Sequence, residues 1–486
     1  MNIKSKTIQG VFWSGIQNWG SQAGSFIVFL ILARLLSPKD FGLVALANVF
    51  INFMQIFLNQ GFAHALIQKQ NLEEKDINTA FWTQVFVGFF LTTLTLSSAN
   101  FIAFTFNQPR LTLTIQVLSI LFIIASLRQT QVTLLNREFK FKVMATCSLL
   151  GIFFAGIVGI LMAFWGYGVW SLVGQQLTYE IMEVIVLWTA STWRPKFQFS
   201  WQALSQLYRF SLNLLAYKLL EFFNQRTDNL LIGYFLGEVA LGYYAISHRI
   251  LQVLTQLLIG TLNQVALPTF SRLQDNPKQF LSAFYQATQF TSLIAFPIFS
   301  AIILLSPQLV ITLFGEHWRS AIPILQILPL TGIIRAVSFF QRSAFIAMGQ
   351  PSIQMKLGLL NAIVNVIACL IALHWGILAV ASAYVISDYL VFPLGQWLLS
   401  KLISLSCKTY LSQFLAPVTS TIIMVSVIFI IQQSLTSILS LQLNLIICCS
   451  IGFIVYTLSI KLLFPELFSH VFTLVALLRS SPQTNS

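Results

Sequence analysis

"LARLLSPKDFGLVALA" (residues 32–47) and "IGYFLGEVALGYYAIS" (232–247) read as one segment written twice. Leu36, Gly42 and Ala45 return 200 residues later as Leu236, Gly242 and Ala245, with similar residues between. Each copy closes one apolar run and opens the next. A second echo follows at an offset of 210. "ILMAFWGYG" (160–168) aligns with "LIALHWGIL" (370–378), pairing Trp165-Gly166 with Trp375-Gly376, and Gln131 meets Gln341. Two matches in order, at equivalent run boundaries, mark an internal repeat.

The runs between these marks are long. Of 486 residues, 57% are hydrophobic and 8% charged, and the mean hydropathy is +0.80. Soluble domains carry roughly a quarter charged residues, so the composition excludes a soluble protein and defines a polytopic membrane one. A span needs about 20 mostly apolar residues. Fourteen such runs are present: 11–33, 41–63, 80–104, 113–135, 146–166, 169–190, 211–236, 241–265, 284–305, 321–347, 353–374, 377–399, 413–433 and 441–464. Turn-forming sequences such as "SPKD" (37–40), "NQPR" (107–110) and "QDNPK" (274–278) separate them. "FSWQALSQLYRF" (199–210) reads as an interfacial helix with Trp201, Leu204 and Tyr208 on one apolar side.

The expected fold is therefore all-α, with about 14 transmembrane helices. The repeat unit is six spans, an even number, so both copies share one orientation across the membrane. That predicts two six-helix lobes in a parallel pseudo-twofold repeat, plus two extra C-terminal helices. The predicted domains are an N-lobe at 1–200 (spans 1–6), a C-lobe at 201–405 (spans 7–12), and 406–486 with spans 13–14 and a tail.

The net charge of +13 does not indicate nucleic-acid binding, because the basic residues lie in short loops rather than in a soluble patch. They act as topology signals. Lys4, Lys6, Lys69, Lys75, Arg137, Lys140, Lys142, Arg194 and Lys196 crowd one side, whereas Arg34, Lys39, Arg110 and Arg319 are what the other side holds. Both termini are expected in the cytoplasm. Five scattered cysteines and five scattered histidines give neither a disulfide framework nor a metal site.

Charge inside a span is costly and usually marks a functional pathway. Span 7 carries Lys218, Glu221, Gln225, Asp228 and Asn229 along one helical face, with Arg226 beside them. Span 1 carries Ser14, Gln17, Asn18, Ser21 and Ser25 on one face, and Asn18, Ser21 and Ser25 correspond to Lys218, Glu221 and Gln225. Both stripes are expected to face a cleft between the lobes. Other intramembrane cations are Arg128, Arg249, Arg335 and Arg342; intramembrane acids are Glu180, Glu183, Glu221, Asp228 and Asp388. A wet cleft lined by guanidinium and ammonium groups suits an anionic substrate, since Arg grips phosphate oxygens through a planar fork. The candidate substrate cavity is Arg128, Lys218, Arg226, Arg249, Arg335, Arg342, Asn18 and Gln225. The candidate ion-coupling residues are Glu180, Glu221, Asp228 and Asp388, serving H+ or Na+, with no other cofactor and no catalytic residue. Each charge has a structural alternative, an interhelical ion pair or a snorkelling side chain.

Several motifs carry a family resemblance: "GVFWSG" (10–15), "LARLLSPKDFGLVALA" (32–47), "GFAHALIQ" (61–68), "NTAFW" (78–82), "FNQP" (106–109), "DNLLIGYFLG" (228–237), "LGYYAISHR" (241–249) and "LFGEHW" (313–318). Over roughly the first 400 residues the chain resembles the polysaccharide transporter, or Wzx-type flippase, branch of the multidrug/oligosaccharidyl-lipid/polysaccharide exporter superfamily. It is most similar to the colanic-acid and teichuronic-acid type. The resemblance implies a bacterial inner-membrane protein that flips undecaprenyl-diphosphate-linked oligosaccharide repeat units by alternating access, for exopolysaccharide, capsule or O-antigen. It implies a lipid-linked oligosaccharide and the bilayer as partners, with polymerase or chain-length machinery nearby, no nucleic acid, and a monomer. The alternative is a cation-coupled multidrug or other small-molecule exporter of the same superfamily. A membrane enzyme is disfavoured, because the longest outer loop (306–320) holds one acid, Glu316, and no acid–base constellation.

Overall fold

A computed structural model describes residues 3–58, 62–69, 72–435 and 439–469. The predicted tail at 470–486 lies outside them. The described chain is helical: α1 (Ile3–Leu35), α2 (Pro38–Leu58), α3 (Phe62–Gln68), α4 (Glu74–Thr105), α5 (Pro109–Leu118), α6 (Ile120–Arg137), α7 (Phe141–Phe164), α8 (Val169–Ala190), α9 (Trp201–Phe235) and α10 (Gly237–Thr255). Then come α11 (Thr261–Leu273), α12 (Pro277–Phe314), α13 (Ile322–Ile327), α14 (Pro329–Ala347), α15 (Pro351–Ala372), α16 (Ile377–Ile403), α17 (Cys407–Ser412), α18 (Leu415–Leu435) and α19 (Leu441–Leu463). Among the described residues, ten segments are long and apolar enough to cross a membrane. The other four predicted spans coincide with α1, α8, α9 and the α10–α11 pair, which carry most of the predicted polar face. The all-α, multi-span expectation is met, though that test of length and apolarity does not by itself return the full count of fourteen.

The chain forms two compact units, residues 1–246 with 369–380, and residues 247–368 with 381–486. In the first, α7 packs on α8 and α1, α4 on α5 and α6, and α9 on α2 and α4. Small residues let these backbones approach: a Cβ on Gly88 of α4 would meet the Phe122 carbonyl oxygen at 2.8 Å. In the second unit α12 packs on α14, α18 and α19. Its core is aromatic, with Phe270, Phe280, Phe284, Phe340 and Phe345 buried and Tyr410 stacked on Phe284.

Two sequence motifs acquire a physical reason. In "NTAFW", Asn78 and Thr79 are fully buried and hold the extended segment that leads from α8 into α9. Asn78 Oδ1 accepts from the Lys196 amide at 2.9 Å, and Thr79 Oγ1 accepts from the Ser200 amide at 3.0 Å. Trp82 Nε1 donates to the Lys196 carbonyl at 2.9 Å while its ring stacks on Phe197. Ser200 then caps α9, its side chain accepting from the Ala203 amide. The expected interfacial helix at 199–210 is therefore not separate; it is the first part of α9. Leu204 and Tyr208 pack against Phe62 and its neighbours, whereas Trp201 is exposed.

The second motif is the repeat itself. A Cβ on Gly42 would lie 1.7 Å from the Glu238 carbonyl oxygen, and one on Gly242 would lie 1.9 Å from that of Pro38. Pro38 and Glu238 are also 200 residues apart. The two repeat-related helices, α2 and α10, thus cross backbone to backbone in a reciprocal contact that no side chain fits. Lys39 Nζ, 2.9 Å from Glu238 Oε1, closes the same crossing electrostatically. Glycine here is a packing requirement. Gly42→Ala and Gly242→Ala should each lower stability by about 3 kcal/mol, an overpacking cost at the upper end. Because one separation of the helices relieves both clashes, the double variant should cost clearly less than the sum. Thermal unfolding of the detergent-purified protein measures this, with Gly358→Ala, where nothing lies within 4 Å, as the control near zero.

Candidate functional site

The apolar helices leave the few buried charges nowhere to go except to each other. In the first unit, Arg128 on α6 meets two acids on α8. Its Nη1 donates to Glu183 Oε2, and its Nε lies 3.2 Å from Glu180 Oε2. Glu183 is almost fully buried, and its Oε1 also accepts from Tyr179 Oη at 2.7 Å and from Ser148 Oγ of α7 at 3.3 Å. Gln17 of α1 donates to Ser148 Oγ at 3.2 Å. Four helices are therefore joined in one network around the guanidinium.

The second unit builds a matching site. Arg335 on α14 places Nε 3.2 Å from Asp388 Oδ2 on α16, and its Nη2 donates to Tyr384 Oη at 2.6 Å. Asn361 on α15 donates to Asp388 Oδ1 at 3.1 Å. The guanidinium carbon lies 5.6 Å from the centre of the Tyr384 ring. In both units the arginine comes from the fourth span of the repeat and the carboxylate from the sixth. A tyrosine stands four residues before that carboxylate, and a polar side chain on the fifth span donates to it.

The two sites differ in register. Taken back by the offset of 210, Arg335 falls on residue 125, three before Arg128, and Tyr384 on residue 174, five before Tyr179. Asn361 falls on 151, three after Ser148, on a helix that runs the opposite way. All three shifts move the second site in the same direction by about one helical turn. The glutamines keep the offset: Gln131 donates to the Trp193 carbonyl at 3.4 Å, just past α8, and Gln341 donates to Gln396 Oε1 on α16 at 2.6 Å.

The remaining candidates are spread more widely. On α9, Lys218 is half-buried and within electrostatic reach of Glu221. Glu221 and Gln225 are exposed, and Gln225 Nε2 donates to Glu221 Oε1 at 3.3 Å. Asp228 is 1% exposed and accepts from Tyr244 Oη of α10 at 2.6 Å. The polar stripe of α9 thus divides into an accessible part, Lys218 to Gln225, and a buried interhelical bond at Asp228. Arg226 and Arg249 are half-buried; Asn18 and Arg342 are exposed. Among the described residues no group of His, Cys, Asp and Glu could hold a metal ion, and no cysteine is in a disulfide.

Sequence reading missed the tyrosines. Tyr179 and Tyr384 each precede an intramembrane acid by four residues on equivalent spans, a spacing that places both on one helix face. That repeat-related pattern was the available signal. Trp318, which closes the "LFGEHW" motif, is fully buried.

The fold is that of a multi-span helical membrane protein whose buried charges are held in interhelical pairs. The chain belongs to the polysaccharide biosynthesis protein family, whose model matches residues 31–323. It is 25% identical over 455 residues to the teichuronic acid biosynthesis protein TuaB of Bacillus subtilis, covering 93% of this chain and 94% of that one. It is 26% identical to the succinoglycan biosynthesis transport protein ExoT of Rhizobium meliloti, covering 70% and 69%. Among solved structures, the lipid II flippase MurJ in an inward closed conformation matches with a TM-score of 0.76 at 16% identity, covering 94% of this chain and 99% of that one. The expected family and fold are both met.

Glu183 is the best-buried member of its site, and removing it takes the acceptor from the Tyr179 and Ser148 hydroxyls and from Arg128 Nη1. Glu183→Ala should therefore cost about 3 kcal/mol, the lower end for breaking a buried pair. Removing the whole charge group, Glu183→Ala with Arg128→Leu and Glu180→Leu, should recover a large part of it. Unfolding midpoints of the wild type and the two variants measure this.

Proposed function

We propose that this protein flips a polyprenyl-diphosphate-linked oligosaccharide across the bacterial inner membrane, supplying repeat units for an extracellular polysaccharide. Three lines support the reading: the family, the naming of its relatives for polysaccharide biosynthesis and transport, and the chemistry of Arg335. The last carries the most weight. Asp388 and Tyr384 engage Nε and Nη2 of the guanidinium, which leaves the N–H groups of Nη1 and the second of Nη2 for an oxyanion. The side chain is 37% exposed, against 25% for Arg128. A planar fork, fixed at one edge and open at the other, is suited to a phosphate.

The rest of the substrate also finds suitable surfaces. Lys218, Gln225 and Asn18 are accessible polar groups for a headgroup, with Arg226, Arg249 and Arg342 as further cations. Glu221, Asp228, Asp388 and Glu180 are the acids available for coupling to H+ or Na+. An apolar cavity of about 470 Å3 lies between α12, α18 and α19, lined by Leu293, Pro297, Met424, Ile428, Phe453 and Ile460, and suits part of a prenyl chain. A lipid tail that stays in hydrocarbon while the diphosphate crosses beside fixed cations avoids the cost of bare charge in lipid. We place both termini in the cytoplasm, on the Lys and Arg bias, and treat the working unit as a monomer, with polymerase machinery downstream.

Arg335→Glu should abolish flipping; because it also sets a second carboxylate against Asp388, Arg335→Glu with Asp388→Asn should restore expression and folding but not flipping. Arg335→Lys should retain part of the activity, since a point charge replaces a fork. Transbilayer movement of a fluorescent polyprenyl-diphosphate oligosaccharide in proteoliposomes reads all three. Wild-type flipping by Arg335→Glu would remove this residue from the substrate path.

A further inference from the structure

The two arginine sites solve the same packing problem with different charge. The second unit pairs one guanidinium with one carboxylate. The first pairs one guanidinium with two, Glu180 and Glu183, so with both ionised the site carries a net negative charge among apolar helices. In the register that pairs Tyr179 with Tyr384 and Glu183 with Asp388, 205 residues apart, the position matching Glu180 is Val385, a buried apolar residue. The second acid is therefore not needed to hold the helices together.

Hydrogen-bond capacity separates the two acids. Glu183 is surrounded by donors: Tyr179 and Ser148 on Oε1 and Arg128 on Oε2. Glu180 Oε2 is a buried oxygen in ionic contact with Arg128 Nε but without an aligned hydrogen bond among the described residues. A carboxylic acid must donate its own O–H, and Glu180 is the acid not already crowded with donors. A metal cation fits poorly, because it would need several oxygen ligands beside a fixed guanidinium that repels it. A proton neutralises the excess charge and needs one oxygen.

We propose that Glu180 carries one exchangeable proton and that its capture and release couple the transport cycle to the proton gradient. The coupling half of this rests on the flippase reading; the proton site does not. On capture an O–H bond forms at Glu180 and the site, with Arg128 and Glu183 charged, is neutral. On release the Glu180 carboxylate remains beside Arg128. The charged and titratable groups in reach of it are Arg128 from α6, Cys147 from α7 and Glu183 from α8, with Gln17, Ser148 and Tyr179 joined to them through Glu183. By this account Asp388, which has its own guanidinium, is not the coupling acid.

The test has two arms on full-length protein. Infrared difference spectra of the protein in nanodiscs, between neutral and alkaline pH, should show the C=O stretch of a protonated carboxyl disappearing. That band should be missing in Glu180→Gln, kept in Glu180→Asp and kept in Asp388→Asn. In proteoliposomes, an imposed proton gradient should accelerate wild-type flipping, and the ratio of rates with and without the gradient should fall to one in Glu180→Gln. A band of full intensity in Glu180→Gln, or one lost in Asp388→Asn, overturns the site. So does acceleration by a sodium gradient alone, or a gradient response that survives Glu180→Gln. If wild type moves no lipid-linked oligosaccharide, the flippase reading fails while the infrared arm still decides the proton site.

Discussion

An ionised side chain in hydrocarbon costs several kcal/mol unless it is paired and hydrogen-bonded. That constraint organises this molecule. With 8% charged residues, the chain keeps few charges inside its helices, and those at Arg128, Arg335 and Asp228 are fixed by partners on other helices. The pairing ties span four to span six in each repeat, and the fifth span contributes a donor. Helix packing and charge placement are therefore one problem, solved twice.

The repeat explains why the solutions look alike. The reciprocal crossing at Gly42 and Gly242, each against the carbonyl that stands where its counterpart's does, is local symmetry at the level of atoms. Gln131 and Gln341 keep the same alignment, each reaching the sixth span or the residues just past it. The charged sites keep the arrangement but slide by one turn and differ by one carboxylate. A shared scaffold with unequal charge lets one unit present a cation with open N–H groups while the other holds acid in excess.

Much of this was legible in the sequence. The spans follow from apolar length, and the equivalence of Gly42 with Gly242 follows from the offset of 200; what the glycines do appears only when two helices cross. Arg128, Glu180, Arg335 and Asp388 stand out as charges in apolar runs. That they gather into two interhelical sites, one with two acids and one with a single acid, could not be read, because sequence gives a residue's face and depth but not which neighbouring face it meets. The α9 stripe shows the same limit: Lys218 to Asp228 share a face by periodicity, yet Asp228 is buried against Tyr244 while Glu221 is exposed. The helix at 199–210 merged into α9 because the Asn78–Thr79–Trp82 clamp, distant in sequence, fixes where the helix begins.

The central claim is that fixed intramembrane cations select a lipid by the charge of its headgroup. A series of fluorescent polyprenyl glycans, identical except for a diphosphate, a monophosphate or a neutral linkage, tests it directly in proteoliposomes. Flipping rate should fall in that order, and the neutral lipid should not move above the protein-free rate. Equal rates across the series, or transport of a lipophilic cation in place of all three, would contradict the account.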